Sequence, residues 1–200
     1  MATSTPTRAS DRAARSASLR RQRLLNAALV EFSRQGYSET SVDDIVSRAR
    51  TSKSAFYAHF DSKERCFRAL LEEEGGGLMS AVQAAAQAGS DHRQRLRAGI
   101  DAFVSQCSRH ADLGRLLLVQ SVGLSPEVEM IRQHLQNRFA EMVELEIRHA
   151  AARGSIPPDI DPEIFARSVV GGVGEVTAHL LRSGGDARST ARALMEIFAP

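Results

Sequence analysis

TSVDDIVSRARTSKSAFYAHFDSKE, residues 40–64, holds the signals of two short helices separated by a tight turn. Thr40 or Ser41 can cap the first helix, because a hydroxyl at this position accepts a hydrogen bond from a backbone N–H of the first turn. Apolar residues then recur with helical spacing as far as Ala49. Ser52 can cap the second helix, which we predict over Lys53 to Phe60. Two short helices joined in this way form a helix-turn-helix.

The second helix of a helix-turn-helix lies in the major groove of DNA, so its two faces have different tasks. Phe56 and Phe60 are four residues apart and therefore share the face that packs inward. Donors able to reach phosphate oxygens point largely away from that face or lie near the helix end, namely Lys53, Ser54, Tyr57 and His59. The sequence thus predicts a DNA-binding surface.

Longer helices are predicted on both sides of this pair. Apolar residues recur at helical spacing between Leu19 and Gln35, and Gly36 is a natural stop for that helix. On the other side, Asp61 with Glu64 three residues later signals the start of a fourth helix. The predicted DNA-binding segment is therefore enclosed by helices that can supply its core.

Charge is unevenly distributed along the chain. Residues 1–68 contain thirteen Lys and Arg against seven Asp and Glu, whereas residues 69–200 contain thirteen against seventeen. A basic end suits a polyanionic partner, and we expect residues 1–18 to be a flexible basic arm that reaches DNA. The first residues lack the apolar region of a signal peptide, and no run approaches the ~20 apolar residues of a membrane span. We therefore expect a cytoplasmic protein.

The run from Arg20 to Leu71 resembles the DNA-binding domain of TetR-type (tetracycline-repressor-like) transcriptional regulators. The resemblance rests on a first helix that ends in Phe and a Gly-aromatic pair, on TSVDDIV, and on SKSAFYAHFDSKE leading into a long helix. It implies phosphate contacts from Thr40, Tyr57, His59 and Lys63, and a base-facing helix start at Lys53, Ser54 and Ala55. The full predicted set of DNA-binding residues is Thr40, Ser41, Ser52, Lys53, Ser54, Ala55, Tyr57, His59 and Lys63.

One position departs from the family pattern. The turn between the two short helices usually contains glycine, but here Arg50 follows Ala49. A non-glycine residue in this turn has to adopt a left-handed conformation at some cost in strain. Arg50 can also add a phosphate contact.

The rest of the chain predicts an all-α protein of about nine helices without strands. We expect the helix-turn-helix domain over residues 19–66 and a helical effector-binding and dimerisation domain over residues 67–200. Gly75, Gly76 and Gly77 interrupt the fourth helix, and each costs roughly 1 kcal/mol relative to alanine. The run is expected either to kink that helix or to end it early.

No catalytic motif of the common hydrolase, zinc-protease or nucleotide-binding types occurs, so we expect neither an enzyme nor a cofactor. His59 has no second His or Cys at helical spacing, and we expect no metal site. The apolar segments of the second domain fit either a solid core or an effector cavity between helices. If there is a cavity, its expected lining is Phe103, Cys107, Leu117, Gln120, Met130, His134, Phe139 and Met142.

A further apolar stripe predicts self-association, which the resemblance also implies. The expected dimer interface is a four-helix contact across a two-fold axis formed by Phe165, Val169, Gly172, Val173, Val176, Leu180, Leu194 and Phe198. Family members are homodimers that a small molecule releases from a palindromic operator. The resemblance accordingly implies an effector-controlled repressor, and the mostly apolar second domain predicts a largely apolar effector. Two alternatives stay open, an effector-independent DNA-binding protein and a redox regulator that acts through Cys107.

Overall fold

The computed structural model describes residues 8–157 and 159–199. Within these residues the fold is all-α, as predicted, with nine α-helices and no strand. They are α1 Arg8–Gln35, α2 Val42–Arg48, α3 Lys53–Tyr57, α4 Lys63–Gln87, α5 His92–Arg109, α6 Ala111–Arg115, α7 Pro126–Ala152, α8 Pro162–Ser183 and α9 Ala187–Phe198. A π-helical segment, Leu116–Gln120, continues α6. No helix of this described part is both long and apolar enough to cross a membrane.

The chain divides into two compact units, the N-terminal unit Met1–Leu70 and the C-terminal unit Leu71–Pro200. The division lies inside α4, slightly beyond the boundary expected after residue 66. The N-terminal unit therefore contains α1 to α3 and the first two turns of α4. The C-terminal unit contains the remaining helices, and each unit has its own buried core.

Aromatic side chains form the centre of the N-terminal unit. Phe32, Phe56 and Phe67 are fully buried and Phe60 is almost so, which confirms the inward orientation predicted for Phe56 and Phe60. The rings of Phe32 and Phe67 meet edge to face with centroids 5.1 Å apart, and Tyr37 lies 5.1 Å from Phe67. Such edge-to-face contacts add to the burial of apolar area and fix the relative positions of the helices.

Hydroxyl caps start both short helices. Ser41 forms a capping box with Asp44, and Ser52 accepts a hydrogen bond from the N–H of Ala55. Arg50 has a φ of 51°, so the left-handed conformation expected at this position is confirmed. α3 ends at Tyr57 rather than at the predicted Phe60.

The first helix begins earlier than the periodicity predicted. α1 starts at Arg8, so residues 8–18 are helical instead of forming an irregular arm. Alanine and arginine dominate this stretch, and both are strong helix formers even without an apolar stripe. The remainder of the predicted arm, residues 1–7, lies outside the described residues.

α5, α8 and α9 share one core in the C-terminal unit, and this corrects the predicted dimer interface. Seven buried residues form this core: Ile100, Val104, Val169, Val173, Leu180, Ala191 and Leu194. Phe165 and Phe198 pack against it. A Cβ on Gly172 would lie 2.8 Å from Cζ of Phe198, so this glycine permits the close approach of α8 and α9 within one protomer. Of the predicted interface residues, only Val176 is classed as exposed, at 38%.

α4 passes without interruption through the glycine run, so Gly75 to Gly77 do not end it. Packing explains the glycine at position 75, because a Cβ there would lie 2.5 Å from Cδ1 of Leu135 on α7. Packing does not explain Gly76 and Gly77, since a Cβ on either would meet no atom within 4 Å. The contact with α7 therefore explains one glycine of the three.

Candidate functional site

α3 presents polar side chains to solvent from a base of buried rings. Lys53, Ser54 and Tyr57 are exposed, whereas Phe56 beneath them is completely buried. The Tyr57 ring, 53% exposed, contacts Phe56 edge to face at 5.4 Å. The predicted donors Lys53, Ser54 and Tyr57 therefore lie together on one accessible surface. Ala55 and His59, also predicted to bind DNA, are half-buried at its edge.

Lys53 forms an ion pair with Asp43 of α2, with 2.9 Å between Nζ and Oδ2. This hydrogen bond, together with the charge of Asp43, raises the pKa of Lys53. Both side chains are more than half exposed, so solvent screens the pair and its effect on stability is small. Its consequence is geometric, because it holds the ammonium at the start of α3 while DNA is absent.

The ammonium of Lys63 is not free, as the phosphate contact implied by the family resemblance would require. Its ammonium donates hydrogen bonds to the carbonyl oxygens of Tyr37, Ser38 and Thr40, at 2.7, 3.3 and 2.8 Å. It also lies 4.3 Å from the centre of the Tyr37 ring. Burial lowers the pKa of this side chain. Three hydrogen bonds to loop carbonyls use all the donors of the ammonium. Lys63 therefore stabilises the α1–α2 loop and has no donor left for a phosphate.

Thr40 is a second correction within the predicted set. It is 1% exposed, and its hydroxyl donates to the carbonyl of Gly36 at 2.7 Å, with the carbonyl of Glu31 at 3.2 Å. The hydroxyl therefore closes the α1–α2 loop and is not available to DNA. Ser41 and Ser52 remain exposed, although their hydroxyls are engaged as helix caps.

Sequence reasoning did not find the buried carboxylate that joins α1 to α2. Glu31 is 4% exposed and accepts hydrogen bonds from Arg34, at 2.7 Å, and from Arg48 of α2. Burial alone would raise the pKa of Glu31, but the hydrogen bonds and charges of the two arginines outweigh it and hold the pKa below its usual value. A glutamate between the apolar residues of α1 was the available signal, but its partner Arg48 could not be read from local spacing.

The C-terminal unit contains a cavity of about 760 Å³. Four of the eight predicted residues line it: Phe103, Leu117, Phe139 and Met142. The rings of Phe103 and Phe139 meet edge to face at 5.6 Å on its wall. A cavity of this size lies within the ~300–1,000 Å³ typical of ligand sites. In this unit the structure therefore describes a cavity between the helices and not a solid core.

The other four predicted residues do not line the cavity. Cys107 is fully buried elsewhere, and Met130 is 60% exposed. His134 is exposed on the outer side of α7. Gln120 ends the π-helical segment, whose wider turn alters the directions that an α-helical pattern would predict. The sequence pattern thus indicated the correct segments, but these four residues do not face the cavity.

The prediction missed the walls that α4 and α8 contribute. Leu71, Leu78, Met79 and Val82 line the cavity from α4, and Val169, Val173 and Ala178 line it from α8. Apolar stripes at helical spacing were visible in both segments. What local spacing could not indicate was that α4 and α8 border the same space.

The burial of Cys107 also bears on the redox alternative. No part of the residue is exposed, and burial raises the pKa of its thiol to about 12. The thiolate is the reactive form of cysteine, so a neutral and inaccessible thiol is a poor sensor of oxidants. Cys66 is likewise fully buried. The structure gives no support to regulation through either cysteine.

A helix-turn-helix unit followed by a helical unit with a ligand-sized cavity is the architecture of a DNA-binding regulator with its own sensor domain. The sequence model described as bacterial regulatory proteins, tetR family, matches residues 24–70. That of the tetracyclin repressor-like C-terminal domain matches residues 89–194. The chain therefore belongs to the TetR family.

Several known proteins are similar. The HTH-type transcriptional activator FasR of Mycolicibacterium smegmatis is 36% identical over 109 residues, which cover 54% of this chain and 50% of FasR. The chain thus spans half the length of that relative. The HTH-type transcriptional repressor DhaR of Mycobacterium sp. is 29% identical over 73% of this chain and 74% of its own. The fold is similar to that of FadR from Bacillus subtilis in complex with stearoyl-CoA, with a TM-score of 0.81, 15% identity and coverage of 89% and 97%.

The contacts of Lys63 predict a stability effect. Lys63→Met keeps the apolar stem but removes three donors to the α1–α2 loop, so we expect the free energy of unfolding to fall by roughly 1–3 kcal/mol. Urea unfolding followed by circular dichroism would measure it. Lys53→Met is the matched control, because it removes only an exposed ion pair and should leave stability nearly unchanged. Unchanged stability of Lys63→Met together with a flatter salt dependence of DNA binding would instead favour the phosphate contact.

Proposed function

We propose that this TetR-family protein is a transcriptional repressor that binds a palindromic operator as a homodimer and is released by a largely apolar effector. The observation that carries the proposal is the pairing of two features in one chain. One is the exposed donor surface of α3, formed by Lys53, Ser54 and Tyr57. The other is the cavity of the C-terminal unit. An enzyme is not part of the proposal, since the relatives are named as transcriptional regulators.

The operator contact follows from the geometry of α3. Lys53 and Ser54 at its start are the residues proposed to approach base edges, while Tyr57 and His59 contact phosphates. Arg50, exposed in its left-handed turn, adds a cation beside them. Ser41 and Ser52 are still proposed to contact DNA, because atoms of both helix caps are exposed. Thr40 and Lys63 are no longer proposed to do so. Because operator DNA lies in the bacterial cytoplasm, we propose that the protein acts there.

The chemistry of the cavity favours an extended aliphatic effector. Its walls are built from leucine, valine, methionine and two phenylalanines, so affinity would come chiefly from buried apolar area, at ~25 cal/mol per Å² before the costs of association. Met79 and Met142 on the wall are flexible and can adapt to the shape of a chain. The similar FadR fold, in complex with stearoyl-CoA, supports the choice of an acyl chain.

Release requires that effector and operator favour different conformations of the protein. A difference of ~1 to 3 kcal/mol between their preferences suffices for a useful response. FasR is named an activator and DhaR a repressor, so the family relationship leaves both directions of control available. We favour repression because effector-dependent loss of DNA binding needs no contact with polymerase. A regulator that ignores effectors would have no use for a cavity of this size.

Dimerisation is proposed through the outer faces of α8 and α9. Three large apolar side chains remain exposed there, Ile164 at 66%, Val176 at 38% and Ile197 at 68%. Gly171 on α8 is also exposed, and a Cβ there would meet no atom within 4 Å. These residues replace the buried core residues of the sequence-based interface. Pairing of two such faces would form a four-helix contact across a two-fold axis.

The operator proposal predicts different effects for the two tyrosines of the chain. Tyr57→Phe removes a hydroxyl donor from the exposed surface of α3, so affinity for all DNA sequences should fall by about tenfold. Tyr37→Phe, in the half-buried core position, should leave binding unchanged. Electrophoretic mobility shift assays would measure the affinity of both variants, on DNA whose two half-sites lie about one helical turn apart or slightly more. Equal binding by both variants would argue against a phosphate contact by Tyr57.

The effector proposal predicts separation of two activities. Met142→Trp places a larger side chain in the cavity and should abolish release by a long-chain acyl compound, while operator affinity stays nearly unchanged. Titration of the acyl compound into the protein–operator complex, with fluorescence anisotropy of labelled DNA, measures both properties. Met130→Trp is the control, because Met130 is exposed and does not line the cavity. Parallel loss of DNA binding and release in Met142→Trp would identify this methionine as ordinary core.

The dimer proposal predicts opposite outcomes for neighbouring valines of α8. Val176→Arg combined with Ile197→Arg should give a folded monomer that no longer binds the operator, because both side chains are exposed. Val173→Arg should prevent folding instead, since Val173 is 5% exposed within the core. Light scattering after gel filtration, together with circular dichroism, distinguishes the cases. A dimeric double variant with full operator affinity would rule out this interface.

A further inference from the structure

The cavity of the C-terminal unit follows α7 for much of its length. Its lining residues run from Arg132 to His149, a span of about 26 Å at a rise of ~1.5 Å per residue. Arg138, Glu141 and Leu145 recur at helical spacing on one face of α7, line the cavity and are all exposed. This face of α7 is therefore an open edge of the cavity, at which a ligand can be buried in part and solvated in part.

The three arginines that line the cavity are not equivalent. Arg95 pairs with Glu146 at 3.1 Å. Arg132 donates to both carboxylate oxygens of Glu129, at 2.7 and 2.5 Å. Arg138 forms no hydrogen bond and no ion pair with any residue in the part of the chain that the structure describes. Within the lining it is thus the guanidinium whose donors are all available to a ligand.

We infer that Arg138 binds the anionic head group of an effector whose alkyl chain lies in the cavity, an inference that rests on the proposed function. A guanidinium offers paired donors that match the oxygens of a carboxylate or a phosphate. Such a contact fixes which end of an otherwise featureless chain stays at the open edge. The chemistry recognised is therefore an alkyl chain with an anionic end, from either a fatty acid or an acyl-coenzyme A thioester.

The distance along α7 gives the length of chain that this arrangement fits. From Arg138 to His149 the helix advances ~16 Å. An extended alkyl chain advances ~1.25 Å per carbon, given a C–C bond of about 1.5 Å, so about fourteen carbons cover that distance. For a fatty acid, whose charge lies at the end of the alkyl chain, tetradecanoate is therefore the probe of choice. Tetradecanoyl-coenzyme A presents the same alkyl chain with its charges beyond the pantetheine arm.

Glu141 supplies a test of opposite sign. It is exposed one helical turn from Arg138 on the same open edge, and no ion pair joins the two side chains. Its charge repels an anionic head group that Arg138 attracts. Removal of the Glu141 charge should therefore strengthen the binding that removal of the Arg138 charge weakens.

The experiment compares the affinities of three probes for the full-length protein by displacement of a fluorescent fatty-acid analogue. The probes are tetradecanoate, tetradecanoyl-coenzyme A and the uncharged tetradecanamide, below their critical micelle concentrations at pH 8. The wild-type protein should bind at least one of the two anions about tenfold more tightly than the amide. Arg138→Gln should reduce this ratio to near one, and Glu141→Gln should increase it. Arg148→Gln, on the same helix but paired with Glu144 and outside the lining, should leave it unchanged.

The outcomes test the role of Arg138 separately from the proposed apolar effector. A higher affinity for tetradecanoate alone identifies a carboxylate, and one for the thioester alone identifies the coenzyme A phosphates. Equal affinity of the wild-type protein for all three probes would overturn the inference and leave the apolar effector in place. A preference for anions that survives Arg138→Gln would overturn it as well. Failure of every probe to bind would overturn the proposed effector class together with the inference.

Discussion

The DNA-binding surface depends on the hydrogen bonds that the ammonium of Lys63 donates. It ties the first turn of α4 to the α1–α2 loop through the carbonyls of three residues, Tyr37, Ser38 and Thr40. That loop sets where α2 begins, and α2 in turn sets the turn that leads to α3. A single cation thus supplies hydrogen-bond donors to three loop carbonyl groups that belong to no helix. The exposed face of α3 can be rigid because the backbone before it is fixed twice, by Lys63 and by the ion pair of the buried Glu31 with the exposed Arg48.

Much of the N-terminal unit could be predicted from the sequence because its determinants are local. The hydroxyl caps at Ser41 and Ser52, the spacing of Phe56 and Phe60 and the left-handed Arg50 all depend on residues within a few positions of one another. Thr40 and Lys63 were assigned to DNA because the family resemblance carries residue roles without their surroundings. Their partners lie across a loop or on another helix, and only the folded chain reveals that both side chains are already engaged.

The C-terminal unit was harder to predict for a related reason. An apolar stripe on a helix indicates that the face is buried but not what buries it. On α8 the stripe of Val169, Val173 and Leu180 packs against α5 and α9 of the same chain, although it could equally have covered a second copy. The same limit applies to the cavity, where Phe103, Leu117, Phe139 and Met142 were found from their segments while the contributions of α4 and α8 were not. Long-range packing decides both cases, and local periodicity contains no information about it.

The π-helical segment Leu116–Gln120 has a consequence for how this cavity can evolve. A π turn holds one residue more than an α turn, so it is equivalent to a single-residue insertion accommodated inside a helix. Leu117, Leu118, Ser121 and Val122 reach the cavity from this segment and the residues just after it. Loss of one residue here would convert the π turn into an α turn, while the side chains that follow keep their directions. A lineage could therefore reshape the cavity wall at this segment through a one-codon deletion, without substituting any residue of the flanking helices.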